Sequence, residues 1–266
     1  MSEPEFSKLV FVFGCARSGT SILGETLAAH PEIRYCFEDN SIWDRVFPGR
    51  EDDRLLPADT LDVQEELRES ASGLLSGPGS LLVDKNPKHS LRIEALSAIF
   101  PAAKFVHIIR DGRDAVASLM FRNRGEEWGH LKIPGWRDLL KRYPQENHLR
   151  CAHQWRESVR IAREAGATLG DERYRELRYE ELVEHAGVTM DELLRFLGLE
   201  SDSGVSAAVA RIQDRTTGSY HARRQVRHFV ENHERRVGRY RENLGKEQLA
   251  GVLEICGDLL AHLGYD

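Results

Sequence analysis

The stretch that most limits what this chain can become is Val10-Phe11-Val12-Phe13-Gly14-Cys15-Ala16-Arg17-Ser18-Gly19-Thr20-Ser21. Leu9 to Phe13 is an apolar run of the length of a buried strand in a parallel sheet. It meets Gly14 and a tight turn. After Gly19, Ile22, Leu23, Thr26 and Leu27 recur on one side of a helical pattern. Strand, glycine-flanked turn and helix form a phosphate-binding loop, where backbone N–H groups converge on an anion and the helix N-terminus adds partial positive charge. A nucleoside-triphosphate loop reads G-x-x-x-x-G-K-[ST]. Here Gly14 and Gly19 keep the separation and Ser21 keeps the hydroxyl, but Thr20 stands where lysine belongs and the cation has moved to Arg17. Without a lysine to bridge the β- and γ-phosphates, the loop is expected to hold a different anion without a metal.

Other strand ends bring further polar groups. Pro31 ends the first helix, and Ile33 to Phe37 is a second strand that delivers Glu38-Asp39-Asn40 at its carboxyl end. Ligands of open parallel sheets bind there, so Glu38 is placed for general-base work; a helix cap or a solvated loop acid would look the same. Ser80 to Val83 is a third strand feeding Asp84-Lys85-Asn86-Pro87. Lys85 then lies on the ligand-facing rim, or is one more solvated lysine. Lys104 to Ile109 is a fourth strand running into Arg110-Asp111-Gly112-Arg113-Asp114, and the helix after it puts Ser118 and Arg122 on one face. Two arginines and a hydroxyl suit a second phosphate, because guanidinium offers paired donors. An arginine–aspartate network through Asp111 and Asp114 is the alternative. Both are expected, with Arg110 left free. Tyr174 to Arg178 is a fifth strand leading to Tyr179, and helices are expected at 62–75, 90–100, 146–165, 189–197, 205–212 and 246–263.

A length of 266 residues with 41% apolar and 30% charged content suits one α/β domain over 1–266, a central parallel sheet with helices on both faces. The net charge of −6 argues against nucleic acid as the main partner. Arginines do crowd between 211 and 241, as a ligand cover or a solvated face. Trp128 and Trp136 could form an acceptor platform or belong to the core. Four scattered cysteines show no metal or disulfide spacing. With a polar N-terminus and no apolar span, the expectation is a cytoplasmic protein away from membranes.

Taken together, these segments resemble the sulfotransferase family that uses 3′-phosphoadenosine-5′-phosphosulfate (PAPS). Gly14 to Ser21 resembles its 5′-phosphosulfate loop, and Arg110 to Ser118, with Arg122, its 3′-phosphate site. Lys85 in Lys-Asn-Pro, Leu177 to Leu182 and Val237 to Leu244 resemble later motifs of the family. The resemblance implies a P-loop-like fold, PAPS as co-substrate, adenosine 3′,5′-bisphosphate (PAP) as product and no metal. It implies that Gly14, Arg17, Ser18, Gly19, Thr20, Ser21 and Tyr179 contact the nucleotide. Arg17 and Lys85 would stabilise the leaving phosphate. The chain is most similar to the tyrosylprotein and bacterial carbohydrate-type branch, where a glutamate at the spacing of Glu38 from the loop arginine is the base; His89 is the competitor from the histidine-type branch. The acceptor would be a hydroxyl or amine on a small molecule, carbohydrate or peptide. A P-loop kinase and a non-catalytic nucleotide-binding module are the rival functions.

Overall fold

The computed structural model describes residues 3–76, 79–122, 131–213 and 236–265. Trp128 and most of the arginine-rich segment lie outside them, as does the Arg122 side chain. Five strands form one parallel sheet in the order β2-β3-β1-β4-β5: β1 (Leu9–Phe13), β2 (Ile33–Phe37), β3 (Leu81–Lys85), β4 (Lys104–Ile109) and β5 (Tyr174–Arg178). All five residues of the central strand β1 are buried, which is why it reads as an unbroken apolar run.

The pleat sorts the core into two faces. Val10 and Val12 join Val83, Val106 and Ile108 under α1 (Thr20–Leu27), α8 (Tyr179–Glu184), α9 (Ala186–Leu197) and α10 (Ser203–Gln213). Leu9, Phe11 and Phe13 join Leu82 and Phe105 under α2 (Ser41–Val46), α3 (Gln64–Leu75), α4 (Ile93–Ile99) and one end of α7 (Asn147–Gly166). A third cluster packs α5 (Gly112–Arg122), α7, α11 (Tyr240–Asn243) and α12 (Lys246–His262) around Cys15 and Ile109. The short α6 (Trp136–Arg142) lies outside these faces, with Trp136 against a small cluster at Leu131 and Ile133. No helix of the described residues is long and apolar enough to cross a membrane.

Two differences from the sequence-based expectation matter for the site. The third strand runs to Lys85 instead of stopping at Val83, pairing Phe37 with Lys85 and Val12 with Lys85. Residues 90–100 are not one helix: a 3₁₀ turn (Pro87–Leu91), with Pro87 at its start and Asn86 capping it through the Lys88 N–H, precedes α4. The chain leaves β1 toward β2 and β3 on one side and reaches β4 and β5 on the other. The carboxyl end of β1 is therefore the switch point where such sheets bind ligands.

Candidate active site

The loop after β1 has the backbone its sequence demands. Gly19 sits at φ 98°, and a side chain there would meet the Tyr179 ring at 2.4 Å. A side chain at Gly14 would lie 2.2 Å from the Ile108 carbonyl oxygen. Arg17 also adopts a left-handed φ of 74°, an uncommon state for a residue with a side chain. The helix α1 begins at Thr20, so the N–H groups of its first turn have no intrahelical acceptors. Ser18 and Thr20 are buried beneath the loop, Ser21 is half-buried and the Arg17 side chain is exposed.

Around this loop, side chains from four strand ends meet. Arg17 Nε donates to Ser118 Oγ on α5 at 3.1 Å. Arg110, just past β4, is 5% exposed and its guanidinium lies 4.7 Å from the centre of the Tyr179 ring. Arg110 is not free, as the sequence suggested. It donates to the Arg17 carbonyl at 3.1 Å and to the Arg236 carbonyl at 2.6 Å, with Asp114 at 3.7 Å. A guanidinium this buried must find acceptors for its donors, and these are the nearest. Its Nε still has no hydrogen-bond partner among the described residues. The expected arginine–aspartate pairing falls to Arg113, whose Nε and Nη2 bind the Asp111 carboxylate at 2.8–3.1 Å. Tyr179, 2% exposed, stands behind the loop, packed against Gly19 and Arg110.

The other half of the rim is an ion pair. Lys85 is a fully buried strand residue, not a solvated lysine. Its side chain points to the α1 face because the pleat places it opposite to Asp84. Its Nζ donates to the Glu38 carboxylate at 2.5 Å and to Ser21 Oγ at 3.2 Å, and sits 3.7 Å from the centre of the Phe37 ring. The Glu38 side chain is 38% exposed, so the carboxylate faces outward while the ammonium does not. His89 is on the other face of the sheet. It is fully buried, holds Asp84 Oδ2 at 3.0 Å through Nε2, and sets its ring edge-on to Phe11 and Trp43.

An anion loop, a buried ammonium touching that loop, and an outward carboxylate on the same ammonium suit the transfer of an anionic group to a nucleophile that must lose a proton. The loop cysteine is not that nucleophile: burial pushes the Cys15 thiol up to about 12. The family model described as "Sulfotransferase family" matches residues 10–203. The chain belongs to the sulfotransferase family.

Among curated relatives, this sulfotransferase-family chain is 29% identical to protein-tyrosine sulfotransferase 2 of Gallus gallus over 72% of its length, and 29% identical to protein-tyrosine sulfotransferase 1 of Danio rerio over 74%. It spans about half the length of these relatives, 51% and 55%. Among solved structures, the sulfotransferase domain from the curacin biosynthetic pathway superposes with a TM-score of 0.61 at 18% identity, covering 94% of this chain and 96% of the other. Mouse sulfotransferase SULT7A1, solved in complex with PAP, gives 0.53 at 15% identity, covering 96% and 84%. At these identities the likeness is one of fold.

A further part of the sulfotransferase rim escaped the sequence. The carboxylate of Asp114 accepts the N–H groups of Gly238 and Tyr240, both at 2.7 Å. With the Arg110 bond to the Arg236 carbonyl, this straps residues 236–240 across the start of α5. The Arg236 guanidinium is held below its usual pKa, chiefly by burial, with Arg110 and Arg239 adding repulsion and Tyr179 opposing it. The sequence showed a basic segment and a closing motif here. It could not show that backbone groups of the segment bind Arg110 and Asp114.

Proposed function

We propose that the chain transfers a sulfuryl group from PAPS to an acceptor hydroxyl, with a tyrosine phenol of a peptide as the acceptor class that its curated relatives favour. The observation that carries this is Lys85, bonded at once to Ser21 of the anion loop and to the outward carboxylate of Glu38. The residues suit the donor nucleotide: the N-terminus of α1 has no side-chain cap, and the buried Ser18 Oγ and Arg110 Nε have no hydrogen-bond partner among the described residues. Arg17, Ser18, Gly19, Thr20 and Ser21 would bind the 5′-phosphosulfate. Arg110 and Ser118 would bind the 3′-phosphate, with Arg122 of the same helix, and Tyr179 would support the nucleotide from behind Gly19.

In the reaction the acceptor oxygen forms a bond to sulfur while the bond from sulfur to the phosphate oxygen breaks, the two oxygens roughly in line. Glu38 takes the acceptor proton. Lys85, Arg17 and the loop N–H groups meet the charge that gathers on the leaving phosphate oxygen. PAP and the sulfate ester are the products.

Thermal unfolding with PAP and without metal should show a clear rise in Tm, and ATP with magnesium a much smaller one, because position 20 lacks the lysine of triphosphate loops. Equal stabilisation by ATP and magnesium would point to a kinase instead. Transfer of ³⁵S from labelled PAPS to a synthetic tyrosyl peptide, a sugar and a simple phenol tests the acceptor class.

Arg110→Ala separates ligand binding from architecture. It should weaken PAP by about 2–3 kcal/mol more than it weakens adenosine 5′-phosphosulfate, which lacks the 3′-phosphate, the scale of a charge-assisted hydrogen bond. Isothermal titration of both nucleotides reads the difference. Equal losses would mean that Arg110 serves only to hold the Arg17 and Arg236 carbonyls.

A further inference from the structure

Glu38 has a backbone that glutamate seldom adopts, with φ at 48° in the left-handed region. Such a state is strained and persists only where the surroundings enforce it. Here both peptide groups of Glu38 are held. Its N–H donates to the Lys85 carbonyl at 2.8 Å, and its C=O accepts from Asn40 Nδ2 at 3.1 Å. Asn40 Oδ1 in turn accepts from Asn86 Nδ2 at 2.9 Å. Asn86 is 2% exposed and is anchored twice, by its N–H to the Val12 carbonyl at 3.1 Å and by its Oδ1 accepting the Lys88 N–H at 3.1 Å.

The chemistry fixes the direction of this chain. The Glu38 carbonyl can only accept, so Asn40 must turn its NH₂ toward it and its oxygen toward Asn86. The Lys88 N–H can only donate, so Asn86 must turn its oxygen toward it and its NH₂ toward Asn40. The relay is thus tied at one end to β1, at the start of the anion loop, and at the other to the residue carrying the carboxylate. We propose that Asn40 is a positioning residue for this transfer reaction: through Asn86 it holds Glu38 in the left-handed conformation that presses its carboxylate onto Lys85. This rests on the sulfuryl-transfer function and the base role of Glu38 proposed above.

Asn40 is also the residue before α2, but its side chain makes no capping bond to that helix. Aspartate is as well tolerated as asparagine at a helix start. As the clamp it fails, because an oxygen would face the Glu38 carbonyl oxygen. Asn40→Asp and Asn40→Ala should both bind PAP as the wild type does and keep its Tm within a few degrees. Both should lose kcat by about 10²-fold on the acceptor that the wild type sulfates, the penalty of a reacting group displaced by about 1 Å, with KM for PAPS little changed. Crystal structures of the two variants should show Glu38 out of the left-handed region and off Lys85, a readout that needs no acceptor. Asn40→Asp with wild-type kcat, or with Glu38 still at positive φ on Lys85, overturns the proposal. Glu38→Gln measured alongside keeps the two claims apart. If it is active, the base role fails; if it is inactive while both Asn40 variants turn over normally, only the positioning role fails.

Discussion

Replacing Glu38 by glutamine is expected to lower turnover by about 10²- to 10⁴-fold, the usual cost of losing a general base, and to leave the affinity for PAP nearly unchanged. Glutamine keeps the length of the side chain and an oxygen that can accept from Lys85 Nζ, now 2.5 Å from the carboxylate. It loses the negative charge opposite Lys85 and the ability to take a proton. The carboxylate is the exposed member of the pair, so an acceptor arriving from solvent meets it without displacing the buried ammonium. Single-turnover transfer from PAPS, with PAP titrations alongside, is the measurement. A variant within threefold of wild type would remove Glu38 from the chemistry. His89→Ala is the matched control. It should cost stability, because the ring fills the core between Phe11 and Trp43 and holds Asp84 Oδ2. Turnover per folded molecule should be unchanged, since the sheet stands between His89 and the loop.

The strands were the most legible part of the fold. Ile33–Phe37, Lys104–Ile109 and Tyr174–Arg178 fall where the pattern puts them, because short apolar or alternating runs end at glycine, proline or charge. Where a strand passes into a helix with no turn residue, the pattern gives no warning: β5 ends at Arg178 and α8 begins at Tyr179. The same weakness set Lys85 beyond its strand, for an Asp-Lys pair does not resemble strand interior until its pairing with Cys36 and Phe37 is known. That the candidate residues at strand ends would come together was legible for a topological reason, since the carboxyl edge of a parallel sheet is shared ground. What joins them was not. The bonds of Arg110 go to backbone carbonyls 93 and 126 residues away in sequence, and a carbonyl has no residue identity to read. The relay from Asn86 through Asn40 is hidden for a related reason. Either asparagine alone is an ordinary turn residue, and only the left-handed Glu38 between the strands gives the pair a task.

Lys85→Met is the second large effect expected, a fall in kcat of about 10²- to 10³-fold, the range for losing one preorganised donor to a developing negative charge. Two roles for this lysine are compatible with its contacts. It could stabilise the leaving phosphate oxygen through its position beside Ser21, or it could be no more than an anchor for Glu38. Methionine fills the buried site and keeps the packing on Phe37 but carries no charge, so the fold should survive. The roles differ in how the variant binds the two nucleotides. The leaving phosphate bears more negative charge in PAP than in PAPS, and a group that stabilises developing charge must favour the more charged partner. Lys85→Met should therefore weaken PAP by a larger factor than PAPS, in a competition measurement made without acceptor. An anchor role predicts that PAP and PAPS are weakened by the same factor and that the loss of kcat matches Asn40→Asp. If instead kcat rises, the ammonium restrains the base by neutralising it, and the leaving-group charge must be met by Arg17 and the loop N–H groups alone.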